Sequence, residues 1–202
     1  MTYEHHDLSF FSDDPFGLRE NIDYTIVCSS RNDRIFLRPI SVINEKIYKV
    51  RMKKMEGRYS LVIDTNLNNN KAFNCLVNEH KDSKPFFDII KKISVTDSNN
   101  FRLVTYALWL DDVLASCCLG AILFNSIFIS FSSYTYVKKA DIDLYFHIAR
   151  HLVELEIDVL DMLSDNSMTK VIKKSCTILD SNDYLKFFNN IIRTQNISRE
   201  DV

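Results

Sequence analysis

The chain is predicted to fold as an α+β protein, a mixed sheet flanked by helices. Three observations lead there. Val113–Val137 holds no charged residue in a chain that is 26% charged. Short strand-like and helix-like segments are interspersed along the rest. Hydrophobic residues make up 46% and aromatics 12%, enough for a substantial core in 202 residues.

The uncharged stretch is read first. A run of about 20 apolar residues can cross a bilayer as a helix. Here Asn125-Ser126 interrupts the run, and Ser116, Ser130, Ser132, Ser133 and Thr135 are scattered through it. Ile122, Ile127, Phe128, Ile129 and Phe131 are β-branched or aromatic, as strands prefer. The expectation is a hairpin of Val113–Phe124 and Ile127–Ser133 turning at Asn125-Ser126, with no membrane span.

The other elements follow in order. Met1–Gly17 reads as irregular. Tyr24–Cys28 and Ile35–Pro39 read as short strands. Ser41–Met55 reads as one helix with Ser41 as N-cap and Ile43, Ile47 and Val50 on its apolar face. Tyr59–Asp64 is a strand, and Asn70–Glu79 and Pro85–Lys92 are helices, with Pro85 suited to a first turn. After a loop at Thr96–Asn100, Leu103–Leu110 is apolar at successive positions, as in a strand covered on both faces. Beyond the hairpin, Lys138–Glu154 reads as a helix. Tyr145, Ile148, Ala149 and Leu152 form its apolar stripe, and Asp143, His147, Arg150, His151 and Glu154 its wet face. Ile157–Leu163 is a short buried strand and Asn182–Thr194 a final helix. The loop at Thr96–Asn100 suggests a smaller N-terminal α/β part, 1–97, and a core, 98–202.

Composition narrows the function classes. Three glycines and three prolines leave no Gly-rich phosphate loop, so no nucleotide cofactor is expected. Net charge is -2 with a sequence pI near 6.2, so any nucleic-acid surface must be local. The five cysteines form no CxxC pair and no basic-then-apolar leader opens the chain, which points to a reducing cytoplasm.

Few constellations carry chemistry. His147 and His151 are spaced like metal ligands, but no third ligand is evident and no metal is expected; a solvated polar face accounts for them. Cys117 and Cys118 face opposite sides of a strand and read as buried apolar residues. Lys46, Lys49, Arg51, Lys53, Lys54 and Arg58 cluster in a chain that is acidic overall. They form either a solvated helix face or a phosphate-contact surface. Asp161 follows Val159-Leu160 in a buried strand, so its carboxylate must be paired, hydrogen-bonded or at an exposed strand end. It is the leading candidate for a site residue.

The order of elements from Tyr106 to Leu163 resembles the core of leucyl/phenylalanyl-tRNA–protein transferases. That family has a tryptophan strand and an acidic turn, then a glycine-rich strand and a Phe-x-Gly-Glu-Ser-Met-Phe-Ser strand. A helix opening with Ala-Ser-Lys and a Leu-Ile-Asp-x-Gln strand follow. This chain runs Ala107-Leu108-Trp109-Leu110-Asp111-Asp112, then Leu114–Ala121, then Phe128-Ile129-Ser130-Phe131-Ser132-Ser133, then Lys139-Ala140-Asp141, then Val159-Leu160-Asp161-Met162-Leu163. Upstream, Phe11–Pro15 and Asp33–Pro39 are similar to the family's N-terminal segments, and the basic helix to its arginine-rich helix. Departures are marked. Ser116 and Cys117 stand for hairpin glycines, Phe131 for the glutamate, and Leu163 for the glutamine; of the final acid–amide pair only Asp161 is present.

The resemblance implies a GNAT-like acyltransferase core after the smaller N-terminal part. It implies transfer of Leu, Phe or Met from aminoacyl-tRNA to the N-terminal amine of proteins beginning with Arg or Lys, a step in N-degron turnover. Asp161 would be the catalytic acid–base. Phe124, Phe128, Phe131, Ser132, Trp109 and Leu163 would form the substrate pocket, and the Lys46–Arg58 cations would hold the tRNA. The expected partners are aminoacyl-tRNA and a protein or peptide N-terminus; no cofactor, metal or membrane is implied. The alternative is a catalytically degenerate homologue that keeps the groove only to bind tRNA or peptide. An acetyl-CoA enzyme is disfavoured, because Lys138-Lys139-Ala140 stands where a pyrophosphate turn would be.

Overall fold

A computed structural model describes residues 33–81, 84–93, 101–162 and 176–180, with single positions at 171, 183, 186 and 190. The expectations for Met1–Gly17, Tyr24–Cys28, the loop Thr96–Asn100 and most of Asn182–Thr194 lie outside the described residues. The described elements are β1 (Asp33–Leu37), α1 (Pro39–Asn44), α2 (Lys46–Met55), β2 (Ser60–Asp64), α3 (Lys71–Glu79) and α4 (Lys84–Ile93). Then come β3 (Phe101–Leu110), β4 (Val113–Leu123), β5 (Ile127–Thr135), α5 (Ala140–Glu154), β6 (Val159–Asp161) and β7 (Cys176–Asp180).

The seven strands form one sheet in the order β2-β3-β4-β5-β6-β1-β7. β2 to β5 are an antiparallel meander, and α5 crosses over to β6, which runs parallel to β5. This is the α+β, GNAT-like arrangement expected. β1 and β2, from before residue 97, are strands of the same sheet as β3 to β7. The uncharged stretch is a hairpin, and no described helix is long and apolar enough to cross a membrane.

Alternation along the strands supplies two cores. On one face Phe36, Ala107, Cys117, Leu119, Ile127 and Ile129 pack with Phe73 and Leu76 of α3 and Phe87 and Ile90 of α4. On the other, Leu37, Tyr106, Leu108, Cys118, Phe128 and Leu160 pack with Val42 of α1 and Leu144, Ile148 and Leu152 of α5. Cys117 and Cys118 thus face opposite layers, as their adjacency in a strand requires. Asn70 caps α3 by accepting from Phe73 N at 2.9 Å, and its amide donates to Thr105 Oγ1 of β3 at 2.8 Å. That one side chain sets both the start of the helix and its seat on the sheet.

Three expectations need correction. The single helix Ser41–Met55 is two helices, parted at Glu45, whose φ of -64° and ψ of 139° are extended. Pro39 opens the first helix, and Ser41 lies inside it and caps nothing. The restart resets the phase. Tyr48 and Met52 pack inward, whereas Ile47 and Val50, expected on the buried face, are 38% and 46% exposed. Second, the hairpin turn lies one residue earlier than expected. Phe124 and Asn125 take the positive φ values of 54° and 51°, and Ser126 N donates to Leu123 O at 2.9 Å. Left-handed residues match the twist of a hairpin, at a steric cost for a bulky Phe. Third, the wet face expected on the long helix is only partly wet. Arg150 and Glu154 are exposed, but Asp143 is 5% exposed, where Arg51 of α2 meets it, and His147 and His151 are half-buried, the latter against Tyr106 of β3.

Candidate functional site

β5 and β6 pair through Ile127–Val159, Phe128–Leu160 and Ile129–Asp161. Among the described residues the pairing ends there. β5 continues to Thr135 through a bulge: Gly120 opposes Ser130 and Leu119 opposes Ser132, so Phe131 is the extra residue. β6 instead follows β1, with Met162 N donating to Ile35 O at 3.0 Å. β6 ends at Asp161. Gly120 is required beside the bulge, because a Cβ there would meet Ile129 O and the Phe128 ring at 2.4 Å.

Asp161 is 0% exposed. Its register partners Phe36 and Ile129 belong to the core under α3 and α4, so its side chain leaves the sheet on that face. Phe131 and Phe124 are buried in the same core. Phe128 is not with them. It lies on the opposite face, edge-on to Tyr106 at a ring separation of 5.6 Å. The aromatic set expected to line one pocket is thus divided by the sheet. Ser132 is half-buried opposite Leu119. Trp109 is half-buried two strands away on β3, with Lys71 Nζ 5.7 Å from its ring centre. Leu163 lies outside the described residues.

The basic cluster separates into two roles. Lys46, Lys49, Lys53 and Lys54 are exposed on α2, and the exposed Arg58 stands 5.1 Å over the Tyr59 ring. Arg51 turns inward. Its Nε donates to Asp143 Oδ1 at 2.8 Å, and its Nη2 bonds the same oxygen and Lys139 O, the latter at 3.3 Å. Burial pushes the Asp143 carboxyl up, and Arg51 pulls it back. The pair pins α2 to the first turn of α5, entered through Lys139 in a left-handed conformation, φ 69°. That turn begins just beyond β5. β5 runs six residues from Ile129, where its pairing with β6 ends, to Thr135 before that turn.

The same helix carries polar groups that are buried or half-buried. Ser130 of the bulge bonds the Tyr145 hydroxyl at 2.7 Å, and both are buried. His151 Nδ1 bonds the Tyr106 hydroxyl at 2.9 Å. Both ring nitrogens of His147 are buried without a hydrogen-bond partner among the described residues, and burial lowers its pKa to about 4. Among the described residues no three acidic, histidine or cysteine side chains are grouped to hold a metal. The Arg51–Asp143 pin joins positions 92 residues apart. Its only local signal is a carboxylate between the apolar Ile142 and Leu144.

No protein-family profile and no curated protein matches the chain. Several solved structures do. A GCN5-related N-acetyltransferase from Anabaena variabilis matches at 13% identity and a TM-score of 0.49, over 73% of this chain and 37% of that one. A conserved protein from Staphylococcus epidermidis matches at 6% identity and 0.48, over 73% and 57%. A C-terminal domain named for lysylphosphatidylglycerol synthetase, from Agrobacterium fabrum, matches at 6% and 0.45, over 65% and 46%. The chain spans between about a third and three-fifths of these proteins. Likenesses this distant identify no ligand and no reaction.

Proposed function

We propose that the chain acts on aminoacyl-tRNA and passes its Leu, Phe or Met to the N-terminal amine of proteins beginning with Arg or Lys, in cytoplasmic N-degron turnover. One observation carries the reading: α2 presents an exposed basic face in a chain that is acidic overall, and a carboxylate, Asp161, is buried where the β5–β6 pairing ends. Phosphates of the acceptor stem would meet Lys46, Lys49, Lys53 and Lys54. The aminoacyl ester would sit beside Phe131 and Ser132. The reaction is aminolysis: the amine nitrogen bonds the ester carbonyl, the ester C–O bond breaks, and the tRNA ribose oxygen leaves with a proton. Asp161 would accept the proton from the attacking amine. The ester is already an activated donor, so positioning alone can supply roughly 7–11 kcal/mol of the barrier. Loss of a fully formed proton relay costs about 10²–10⁴ in rate, which a slow enzyme survives.

A second reading, retention of tRNA or peptide without transfer, is favoured by the complete burial of Asp161 and the division of the aromatic set. Purified protein mixed with radiolabelled Leu-, Phe- or Met-tRNA and an Arg-terminated peptide separates the two. Label in the peptide that disappears in Asp161→Asn supports transfer. Retained tRNA with an unlabelled peptide supports the binding module. Neither label nor retention refutes both.

A further inference from the structure

A second polar cluster lies on the α3 side of the sheet. Cys75 and Glu79 are one turn apart on α3, Cys117 is on β4, and Tyr136 follows β5. Cys117 Sγ bonds Cys75 Sγ at 3.9 Å, Cys75 Sγ lies 2.8 Å from the Tyr136 hydroxyl, and that hydroxyl donates to Glu79 Oε1 at 2.9 Å. These links form a chain. The buried Cys117 thiol donates to Cys75, the Cys75 thiol to the Tyr136 oxygen, and the Tyr136 proton to an exposed carboxylate. Cys117 is fully buried, Cys75 is half-buried and Tyr136 is exposed, so one sulfur is reachable from solvent and the other waits behind it.

We propose that Cys75 and Cys117 are a peroxide-responsive dithiol that closes reversibly into a disulfide between α3 and β4. The proposal is independent of the aminoacyl-transfer reading. A disulfide needs sulfurs about 2 Å apart. The gap narrows by side-chain rotation of Cys75, which sits on a helix surface and not in the sheet. In the first step the Cys75 proton passes to Tyr136 as the Tyr136 proton passes to Glu79. The sulfur then attacks a peroxide oxygen: an S–O bond forms, the O–O bond breaks, and the leaving hydroxide takes a proton to become water. Cys75 is left as a sulfenic acid. In the second step Cys117 sulfur attacks Cys75 sulfur. The S–S bond forms, the S–O bond breaks, and hydroxide leaves with the Cys117 proton as a second water. Two thiols lose two electrons, and one peroxide gains them. Cys118, on the other face and bonded to Ser130 at 3.4 Å, has no such route.

The test is hydrogen peroxide treatment of the full chain, then alkylation, proteolysis without reductant, and mass spectrometry. The expected result is a Cys75–Cys117 cross-linked peptide about 2 Da lighter than its two parts, abolished by dithiothreitol. Cys117→Ser should leave Cys75 as a sulfenic acid that dimedone traps, and Cys75→Ser should leave Cys117 unoxidised. Tyr136→Phe, which removes the outlet for the proton, should slow Cys75 oxidation by about tenfold or more. Cross-links that use Cys28, Cys118 or Cys176 instead would overturn the proposal. So would unchanged thiols in the folded wild type, or an undiminished rate in Tyr136→Phe.

Discussion

Replacing Arg51 by Met removes the counter-ion of a carboxylate that has almost no access to water. Asp143 is 5% exposed, and Arg51 supplies two bonds to its Oδ1 and one to Lys139 O. Breaking a buried pair by deleting one partner costs about 3–5 kcal/mol, because the other charge stays behind. Arg51 keeps partial solvent access, its side chain being 23% exposed, so a loss near the lower end, about 3 kcal/mol, is expected at pH 7. The pH dependence has a definite sign. Burial already raises the Asp143 pKa in the folded protein, and loss of Arg51 raises it further. A carboxyl whose folded pKa lies above its unfolded value holds its proton more tightly when folded. Its stability contribution is therefore greatest below the unfolded pKa and declines as pH rises through the folded one. The loss in Arg51→Met relative to wild type should shrink when urea titrations at pH 7 are repeated near pH 4. Arg51→Met/Asp143→Leu should recover most of the stability, since no charge is then stranded. A loss below about 1 kcal/mol at pH 7, or an equal loss at both pH values, would refute the pin.

Other perturbations read different parts of the molecule. Neutralising Lys46, Lys49 and Lys53 should weaken tRNA binding and flatten its salt dependence by about 2 to 3 in the log–log slope, measured by filter binding from low to high salt. Gly120→Ala should destabilise by about 1–3 kcal/mol, towards the upper end because a backbone oxygen is one of the obstacles, and lower the Tm by several degrees in a thermal melt. His147 is held neutral by burial, with its pKa depressed to about 4, so its contribution is fully present above its unfolded pKa and lost as pH falls through the folded one. His147→Leu should therefore flatten the loss of stability between about pH 6.5 and pH 4 in acid titrations followed by circular dichroism.

Much of the fold was legible because the pattern was local. A stretch without charge but with a polar interruption and β-branched neighbours can bury itself only as paired strands. Asn70 before an amphipathic run marks a helix start. What escaped the sequence was set at long range or by small phase changes. Glu45 breaks a helix that propensity would continue, and the resulting rotation exposes Ile47 and Val50. One extra residue at Phe131 fixes which side chains share a face, and a sequence does not display the missing partner. Asp143 looks solvated until Arg51 is brought to it from 92 positions away. Of the residues expected at a site, the α2 lysines are exposed and Asp161 is buried, while Phe128 is on the opposite face from Phe124 and Phe131, a division set by strand register.

The position of β1 has a consequence for biosynthesis. It is the earliest described strand, yet its neighbours in the sheet are β6 and β7, the last two. Its pairings Phe36–Asp161 and Leu37–Cys176 cannot form until those strands have left the ribosome. With roughly 120 residues between β1 and β6 and synthesis at about 5–20 residues per second, Ile35, Phe36 and Leu37 stay unpaired for roughly 6–24 s on every nascent chain. The meander of β2 to β5 is complete before then, so the earliest described strand takes its place between β6 and β7 only after both have emerged. During that interval an apolar strand without neighbours is open to chaperones, or to the same strand of another nascent chain.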